Sequence, residues 1–187
     1  MLTTKGLNIL YHGDTLMKEY KIEDGEVNTK QLEADFMEES SYKAAHQGLV
    51  LPCHDIFIQY EKGILLVRRL NLPVKGVLWP LGGRIKRGRA TEDSLRERIR
   101  EEANLELEDL VELGHARTYF KTDPFSHGKG TDTINFVYFG RGKGSLKLDK
   151  LHEEPTIVLP ETYQSIKDNL HQYVKDFMDL AILLVRQ

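Results

Sequence analysis

Residues 82–107, GGRIKRGRATEDSLRERIREEANLEL, carry the strongest pattern in the chain. The adjacent glycines Gly82 and Gly83 predict a turn after a short apolar strand, because glycine lets the backbone approach a ligand closely. The residues beyond them predict a helix over 91–104, with Thr91 as its N-cap and acidic residues in the first turn, where the helix dipole favours negative charge. The stretch therefore predicts a strand, a glycine turn, a basic loop and a helix in that order.

Two adjacent carboxylates, Glu101 and Glu102, lie near the end of the predicted helix. Together with the backbone carbonyl of Gly83 they would form a set of hard oxygen ligands, which suits Mg²⁺. An ion held there would neutralise a diphosphate and hold it for attack. We therefore expect a magnesium site, with Mn²⁺ as an alternative ion, over the plainer interpretation of a charged helix surface.

A basic loop follows the glycines and contains four cations, Arg84, Lys86, Arg87 and Arg89. Arginine offers paired donors to phosphate oxygens, so the loop predicts a diphosphate clamp; the alternative is a solvated charged loop. Arg84 lies beside the glycines and is the strongest substrate-binding candidate of the four.

The surrounding sequence predicts a mixed α/β (α+β) domain. Two β-rich runs, 49–60 and 64–70, are joined by Glu61-Lys62-Gly63, which is typical of a hairpin. Strands and helices mix without strict alternation, which favours a mixed sheet with helices on its faces. Further strands are expected at 76–83, 111–121, 133–139, 146–148 and 156–159, and a last helix, opened by Pro160, at 161–185.

Residues 1–48 are polar and acid-rich and predict an N-terminal extension, with a helical patch around 29–47 that packs on the body or on a partner chain. The last helix carries apolar residues at helical spacing, which predicts a packing face or, alternatively, the contact of a homodimer. The expected organisation is an extension at 1–48 and a domain at 49–187.

Composition excludes several classes of protein. The 187 residues carry 26 basic and 29 acidic side chains, a net charge of −3, which argues against a nucleic-acid coat protein. The lone cysteine, Cys53, excludes an internal disulfide framework. The longest apolar run near the C-terminus, LAILLV, is far short of a membrane span, and the N-terminus has no secretory signal pattern. We expect a cytoplasmic protein with no membrane or nucleic-acid partner.

The stretch that begins at Gly83 resembles the box of the Nudix hydrolase family, G-x5-E-x7-R-E-U-x-E-E-x-G-U, in which U is a bulky aliphatic residue. After the glycine, four positions match and four differ. The matches are Ile99, Glu101, Glu102 and Leu105. The differences are Arg89 in place of glutamate, Glu97-Arg98 in place of Arg-Glu, and Asn104 in place of glycine.

This resemblance covers residues 49–160 and implies an α/β/α sandwich and a Mg²⁺-dependent hydrolase of a nucleoside diphosphate derivative. The family places a third metal-binding carboxylate where this chain has Arg98. Since Arg98, Glu101 and Glu102 share one helix face, the guanidinium makes a single ion the expectation. These three residues are the candidate catalytic residues of the helix.

Within that family, two segments resemble the GDP-mannose mannosyl hydrolases. LVRRLNLPVKGVLWPLGGRIKRG at 66–88 implies that Arg69 and Trp79 bind substrate together with Arg84, although Trp79 beside a proline also fits a core position. DPFSHGKGTDTINFVYFG at 123–140 implies the same for Asp132 and Asn135.

The resemblance to this branch further implies a nucleotide sugar such as GDP-mannose as substrate, with GDP and a free sugar as products. Attack at carbon requires a base, and histidine is the usual choice near neutral pH. His127, in a glycine-flanked loop, is the first candidate, and the alternative is a surface-loop histidine. His152 is the second candidate base, whereas His54 is expected in the core. Because the box has lost a glutamate, a binding protein that senses such a ligand without turnover is the alternative function.

Overall fold

The computed structural model describes residues 17–20, 28–34 and 37–185. The predicted extension at 1–48 lies partly outside these ranges. Within them, a mixed sheet has seven strands: β1 Leu51–Tyr60, β2 Gly63–Arg69, β3 Leu78–Trp79, β4 Leu81–Arg84, β5 Glu106–Phe120, β6 Thr131–Lys143 and β7 His152–Val158. The helices are α1 Glu39–Gly48, α2 Thr91–Ala103, α3 Pro160–Ile166 and α4 Gln172–Ala181, with short 3-10 turns at Thr29–Leu32, Lys167–Asn169 and Ile182–Leu184.

Strand β1 is the centre of the sheet, whose path runs β3-β2-β1-β6-β5 while β4 pairs with β1 and β7 with β2. β1 and β6 are parallel, and the other pairs are antiparallel. The hairpin predicted at Glu61-Lys62-Gly63 is confirmed, since Tyr60 pairs with Gly63.

The apolar core lies in two layers because successive side chains of a strand point to opposite faces. On one face, Ile56 and Ile58 of β1 share a cluster with Leu95 and Ile99 of α2. On the other face, Phe57 shares a cluster with residues of α3 and α4, including Tyr163, Val174 and Met178. The predicted α/β/α sandwich with a mixed sheet is confirmed.

The two glycines lie inside a strand, and the prediction of a Gly-Gly turn is wrong. Gly82 and Gly83 belong to β4, where they pair with Asp55 and His54 of β1. A Cβ at Gly82 would lie 2.2 Å from the carbonyl oxygen of His54 and 2.6 Å from Oδ1 of Asp55. The close approach of β1 is therefore what requires glycine here.

Two other predicted elements also differ. The segment 146–148 forms no strand; Lys147 and Asp149 donate their backbone N–H groups to the carbonyls of Ala103 and Glu102 at the end of α2. The single helix expected at 161–185 is interrupted, because Leu170 is extended and the side chain of His171 accepts the N–H of Tyr173, which starts α4 anew.

The N-cap of α2 is Ala90 and not Thr91, and it makes no side-chain capping bond. The N–H of Thr91 instead donates to the carboxylate of Glu19 at 2.6 Å. The extension thus supplies an anion to the helix start, which a cap would otherwise provide. Separately, the described part of the chain contains no helix long and apolar enough to cross a membrane.

Candidate active site

Glu102 lies on the last turn of α2 and is buried, with 6% of its surface exposed. Its Oε1 lies 3.6 Å from Nη1 of Arg98, and its Oε2 is buried without a hydrogen-bond partner among the described residues. Burial raises the pKa of the Glu102 carboxyl to about 8, against the opposing effect of the Arg98 charge. The charge of Asp149 adds to the rise, while Arg69 and the backbone N–H of Gly82 oppose it.

By their chemistry, the predicted donors suit one hard cation rather than a cluster of ions. The unpartnered Oε2 of Glu102 is an acceptor that a cation would satisfy, and Glu101 and the Gly83 carbonyl are the further oxygen donors of the predicted set. Arg98 lies beside these donors, since a Cβ placed on Gly83 would be 3.5 Å from Nε of Arg98. In the described ranges no group of three or more His, Cys, Asp or Glu side chains is arranged to hold a metal.

The cations of the basic loop are held by different partners. Nζ of Lys86 lies 2.8 Å from both Glu97 and Glu101, so the loop is tied to α2. Arg89 pairs with Glu33 of the N-terminal extension at 3.2 Å. None of the ion pairs among the described residues involves Arg84, whose guanidinium lies 4.1 Å from the centre of the Tyr42 ring.

These cations surround a cavity of about 620 Å³. Its walls include Arg84, Lys86, Arg87, Arg89 and Arg98, as well as Glu97. Another part of the wall comes from the extension, through Glu33, Ala34 and Met37. Such a concentration of positive charge in a concave site suits a ligand with several negative charges, such as a diphosphate. The sequence indicated the cations, but no local signal placed the extension in the same cavity.

A buried polar cluster next to the site escaped the sequence reasoning. Asp55 of β1 accepts a hydrogen bond from the Tyr173 hydroxyl at 2.6 Å, and burial raises the pKa of the Asp55 carboxyl to about 6. The nearby Arg69, a predicted substrate-binding residue, is largely buried and donates from Nε to the Pro73 carbonyl at 3.1 Å. Asp55 stands in an apolar run of β1, so periodicity alone predicts an ordinary core position.

Trp79 packs in the core, which corrects its expected role in substrate binding. Its ring stacks on Tyr173 with centroids 5.0 Å apart and planes 12° apart, and only 4% of its surface is exposed. This stacking and burial leave no open ring face for a base or a sugar. Trp79 therefore occupies the core position, which was the alternative expected from the adjacent proline. His54 is buried as expected and hydrogen-bonds to Ser94 at 3.0 Å.

Asp132 and Asn135, predicted from the loop segment, both lie on β6 with their polar groups engaged. Asp132 forms a two-bond ion pair with Arg117 of β5, at 3.0 and 2.8 Å. Asn135 is buried, and its amide donates to Thr118 and Thr133. Neither group contacts Gly83, Glu101 or Glu102, so the structure does not bring these predicted residues together with the carboxylates.

Asn135 nevertheless lies in register with Arg84 of the basic loop across the sheet. Arg84 of β4 pairs with Cys53 of β1, and Cys53 pairs with Asn135 of β6. Side chains at paired positions of neighbouring strands lie on the same face. Arg84 and Asn135 therefore lie on one face of the sheet, on either side of Cys53.

His127 is not the solvent-facing loop histidine that the sequence suggests, because its side chain is 0% exposed. Its Nδ1 accepts the backbone N–H of Lys129 at 3.1 Å, and its Nε2 lies 2.7 Å from Nδ1 of His46 in α1. Both ring nitrogens are thus occupied, which corrects the expectation of a free general base at this position in this conformation.

The second candidate base, His152, has a different arrangement. Its Nδ1 lies 2.8 Å from Oδ1 of Asp149, so the carboxylate holds the proton on Nδ1 and leaves Nε2 as the lone-pair nitrogen. Asp149 also donates its backbone N–H to the carbonyl of Glu102 at 2.9 Å. His152 therefore belongs to the surroundings of Glu102, and its pairing partner was not visible in the sequence.

Comparison with known proteins agrees with this fold. A family model for the NUDIX domain matches residues 52–177. Solved structures of similar fold include a MutT NUDIX hydrolase from Burkholderia pseudomallei, 20% identical, covering 74% of this chain and 99% of that one at a TM-score of 0.53. A MutT protein from Methanosarcina mazei Go1 is 19% identical, covering 74% and 96% at a TM-score of 0.55. No curated protein matches the chain.

A third structure, a hydrolase of the NUDIX family from Clostridium perfringens, is 16% identical and covers 74% of this chain and 99% of that one at a TM-score of 0.57. At these identities the likeness concerns the fold. The family model spans well over half of the chain and includes the basic loop, helix α2 and both carboxylates near its end. The chain therefore belongs to the Nudix family, and this membership supports a hydrolase.

Proposed function

We propose that the chain is a Mg²⁺-dependent hydrolase of a nucleoside diphosphate derivative, and that the derivative is a nucleotide sugar such as GDP-mannose, cleaved to GDP and a free sugar. The observation that carries the proposal is the cavity of about 620 Å³, whose wall carries five cations; one of them, Arg98, lies 3.6 Å from the buried carboxylate of Glu102. The negative charge of a diphosphate complements these cations. In a nucleotide sugar, the diphosphate is linked to the nucleoside at one end and to the sugar at the other.

Each residue has a distinct role in the proposal. Arg84 and Arg98 bind phosphate oxygens, since a guanidinium offers paired donors. Glu101, Glu102 and the Gly83 carbonyl would hold one Mg²⁺, with Mn²⁺ as an alternative; when bound, the ion neutralises charge on the departing diphosphate. Arg69 and Asn135 stay candidate substrate contacts at the margin of the site.

The second candidate function is a ligand sensor with weak or no turnover. Two observations favour it over an ordinary hydrolase. Arg98 takes the position where the family places a metal-binding carboxylate, and its guanidinium lies 3.6 Å from Glu102. In addition, the described residues hold no group of three metal-ligating side chains. A site of this kind binds anions well but has fewer ligands with which to hold an ion.

Turnover of a substrate panel with and without Mg²⁺ tests the proposal. The panel contains GDP-mannose, other nucleotide sugars and nucleoside diphosphates, and each reaction is repeated in ¹⁸O-water. The proposal expects turnover with the label in the free sugar, which marks attack at carbon. Label in a phosphate would move attack to phosphorus, and tight binding without turnover would favour the sensor.

A homodimer is a further part of the proposal, and light scattering on the purified chain tests it. The apolar residues of α4 do not provide its contact, because Tyr173, Val174, Met178 and Ala181 are buried within the chain. Another surface would have to form the interface.

A further inference from the structure

Arg84 is held differently from three other cations of the cavity. Lys86, Arg89 and Arg98 each lie beside at least one carboxylate. Arg84 instead lies over the aromatic face of Tyr42, with 4.1 Å between the guanidinium carbon and the ring centre. A ring face attracts a guanidinium but takes none of its N–H donors and does not neutralise its charge. Arg84 therefore keeps its donors for an incoming anion.

Tyr42 belongs to α1, and α1 is fixed to the domain next to this contact. The Tyr42 ring meets Phe125 edge-on at 5.2 Å. One helical turn further on, His46 lies 2.7 Å from His127 in the same loop as Phe125. The position of the Tyr42 ring is therefore fixed by contacts with a loop of the domain as well as by helix α1.

The hydrogen bonds of the two histidines fix their tautomers. Because Nδ1 of His127 accepts from Lys129, the proton of the neutral ring is on Nε2, which donates to Nδ1 of His46. The proton of His46 is then on Nε2, within 3.5 Å of the Thr131 hydroxyl. That hydroxyl donates to the Thr122 carbonyl at 2.8 Å. Each group in this series of hydrogen bonds donates to the next, from Lys129 to the Thr122 carbonyl. The series connects His46 to the domain and so holds α1 in place.

A second contact connects the extension to the basic loop. A Cβ on Gly88 would lie 2.4 Å from the backbone nitrogen of Glu33, so the two backbones touch where only glycine fits. At this point Glu33 also pairs with Arg89. The extension thus contacts the basic residues at two points, with Glu33 beside Arg89 and Tyr42 against Arg84.

From these contacts we infer that Tyr42 is a positioning residue of the site: its ring holds the Arg84 guanidinium in the orientation that binds the phosphates of the substrate. The inference rests on the proposed function, since it assigns Arg84 to phosphate. It makes α1, which lies outside the matched family model at 52–177, a working part of the site.

Binding of inorganic pyrophosphate, measured by calorimetry in EDTA, tests the inference. Tyr42→Leu removes the aromatic face and should weaken pyrophosphate binding by about 3- to 10-fold, whereas Tyr42→Phe keeps the face and should bind as the wild type does. Gln47→Ala, an exposed position on the same helix, is the matched control. In the double variant with Arg84→Ala, the loss from Tyr42→Leu should disappear, because the ring then has no guanidinium to hold.

A panel substrate that is turned over gives a second readout. Tyr42→Leu should raise KM while kcat stays within about 2-fold, since the ring acts on binding through Arg84. Circular dichroism and the melting temperature of each variant check that α1 and the domain remain folded.

The outcomes separate the two proposals. Equal pyrophosphate binding by Tyr42→Leu and the wild type, in a protein that turns over a diphosphate, would overturn the inference and leave the proposed function standing. Loss of affinity in Arg84→Ala but none in Tyr42→Leu would do the same. A wild type that neither binds pyrophosphate nor turns over any panel member would overturn both.

Discussion

The guanidinium of Arg98 lies 3.6 Å from Oε1 of Glu102, while Oε2 of the same carboxylate has no hydrogen-bond partner in the described part of the chain. One oxygen thus faces a cation of the protein, and the other is left as an acceptor. Because the charge of Arg98 offsets part of the negative charge, we expect the site to attract fewer divalent ions than one with a carboxylate at that position. The predictions for this helix follow from this pair.

Replacement of Glu102 by glutamine should abolish turnover and leave the fold intact. Glutamine has nearly the same size but no charge, so it removes the ion's ligand without opening a cavity. We expect kcat of Glu102→Gln to fall by about 10²-fold or more, with an unchanged circular dichroism spectrum. Near-normal turnover by this variant would contradict the assignment of Glu102 as a metal ligand.

Replacement of Arg98 by glutamine should strengthen metal binding. Removal of a positive charge close to Glu102 raises the attraction for Mg²⁺, and we expect a Kd lower by about 3-fold or more at low salt. Titration with Mn²⁺ followed by electron paramagnetic resonance measures both affinity and stoichiometry. One bound ion per wild-type chain is expected, and two tight ions would show that Arg98 does not limit their number.

The stability of the metal-free protein should fall as the pH rises through the Glu102 titration. Burial raises the pKa of this carboxyl from 4.5 to about 8, so between these values the folded chain binds the extra proton and the unfolded chain does not. The free energy of unfolding therefore decreases from pH 5 to pH 8.5, by up to about 4 kcal/mol. Urea denaturation in EDTA measures it, and the Glu102→Gln variant should show a flatter profile. Parallel profiles for both proteins would contradict the shift.

The two candidate bases should differ in their effect on turnover. His127 has both ring nitrogens occupied, so His127→Ala is expected to change kcat only several-fold through the loop. His152 keeps a lone pair on Nε2 beside Asp149, so His152→Ala should lower kcat by about 10²-fold if a histidine activates water. A large loss of kcat in His127→Ala alone would mean that α1 moves away during the reaction and frees that ring.

Docking of α1 should weaken as the pH falls below about 6.5, the ordinary pKa of histidine. Burial lowers the pKa of His46, and the neighbouring His127 lowers it further, while Asp123 opposes the shift. His46 therefore binds a proton more readily when α1 is undocked, and docking becomes less favourable as the pH falls through this range.

Hydrogen exchange of the α1 amides at pH 7.5 and 5.5, corrected for intrinsic rates, measures this effect. Protection should fall by up to about 10-fold at the lower pH. His46→Gln, which cannot titrate, should show no such dependence, and an equal loss of protection in that variant would assign the effect to other groups.

The sequence predicted a mixed sheet with helices on its faces, and most of the order of elements, because apolar periodicity and turn residues report local geometry. The α/β/α sandwich was implied by the resemblance to the Nudix family. It placed Glu101 and Glu102 on one helix next to the glycines, and the structure agrees that Glu102 faces β4. It misplaced Gly82 and Gly83 in a turn, since a glycine required by a neighbouring strand looks the same in sequence as a glycine required by a turn.

The partners of the site residues were beyond sequence reasoning because they come from distant segments. Tyr42 under Arg84, His46 beside His127 and Glu19 at the start of α2 all join the extension to the domain. No periodicity links residues that meet only after folding. The same limit explains Trp79, whose core position depends on the distant Tyr173.

The carboxylate of Glu19 on the first N–H of α2 has a practical consequence for anyone who trims this protein. A fragment cut at the family boundaries, 52–177, would lose that anion, the ring beneath Arg84 and the last buried residues of α4. Such a fragment would keep every motif of the Nudix box, while the first N–H of helix α2 would lose its carboxylate partner. Any loss of activity in that fragment would then be due to the missing contacts, and the 187-residue chain is the proper reference for every substrate test.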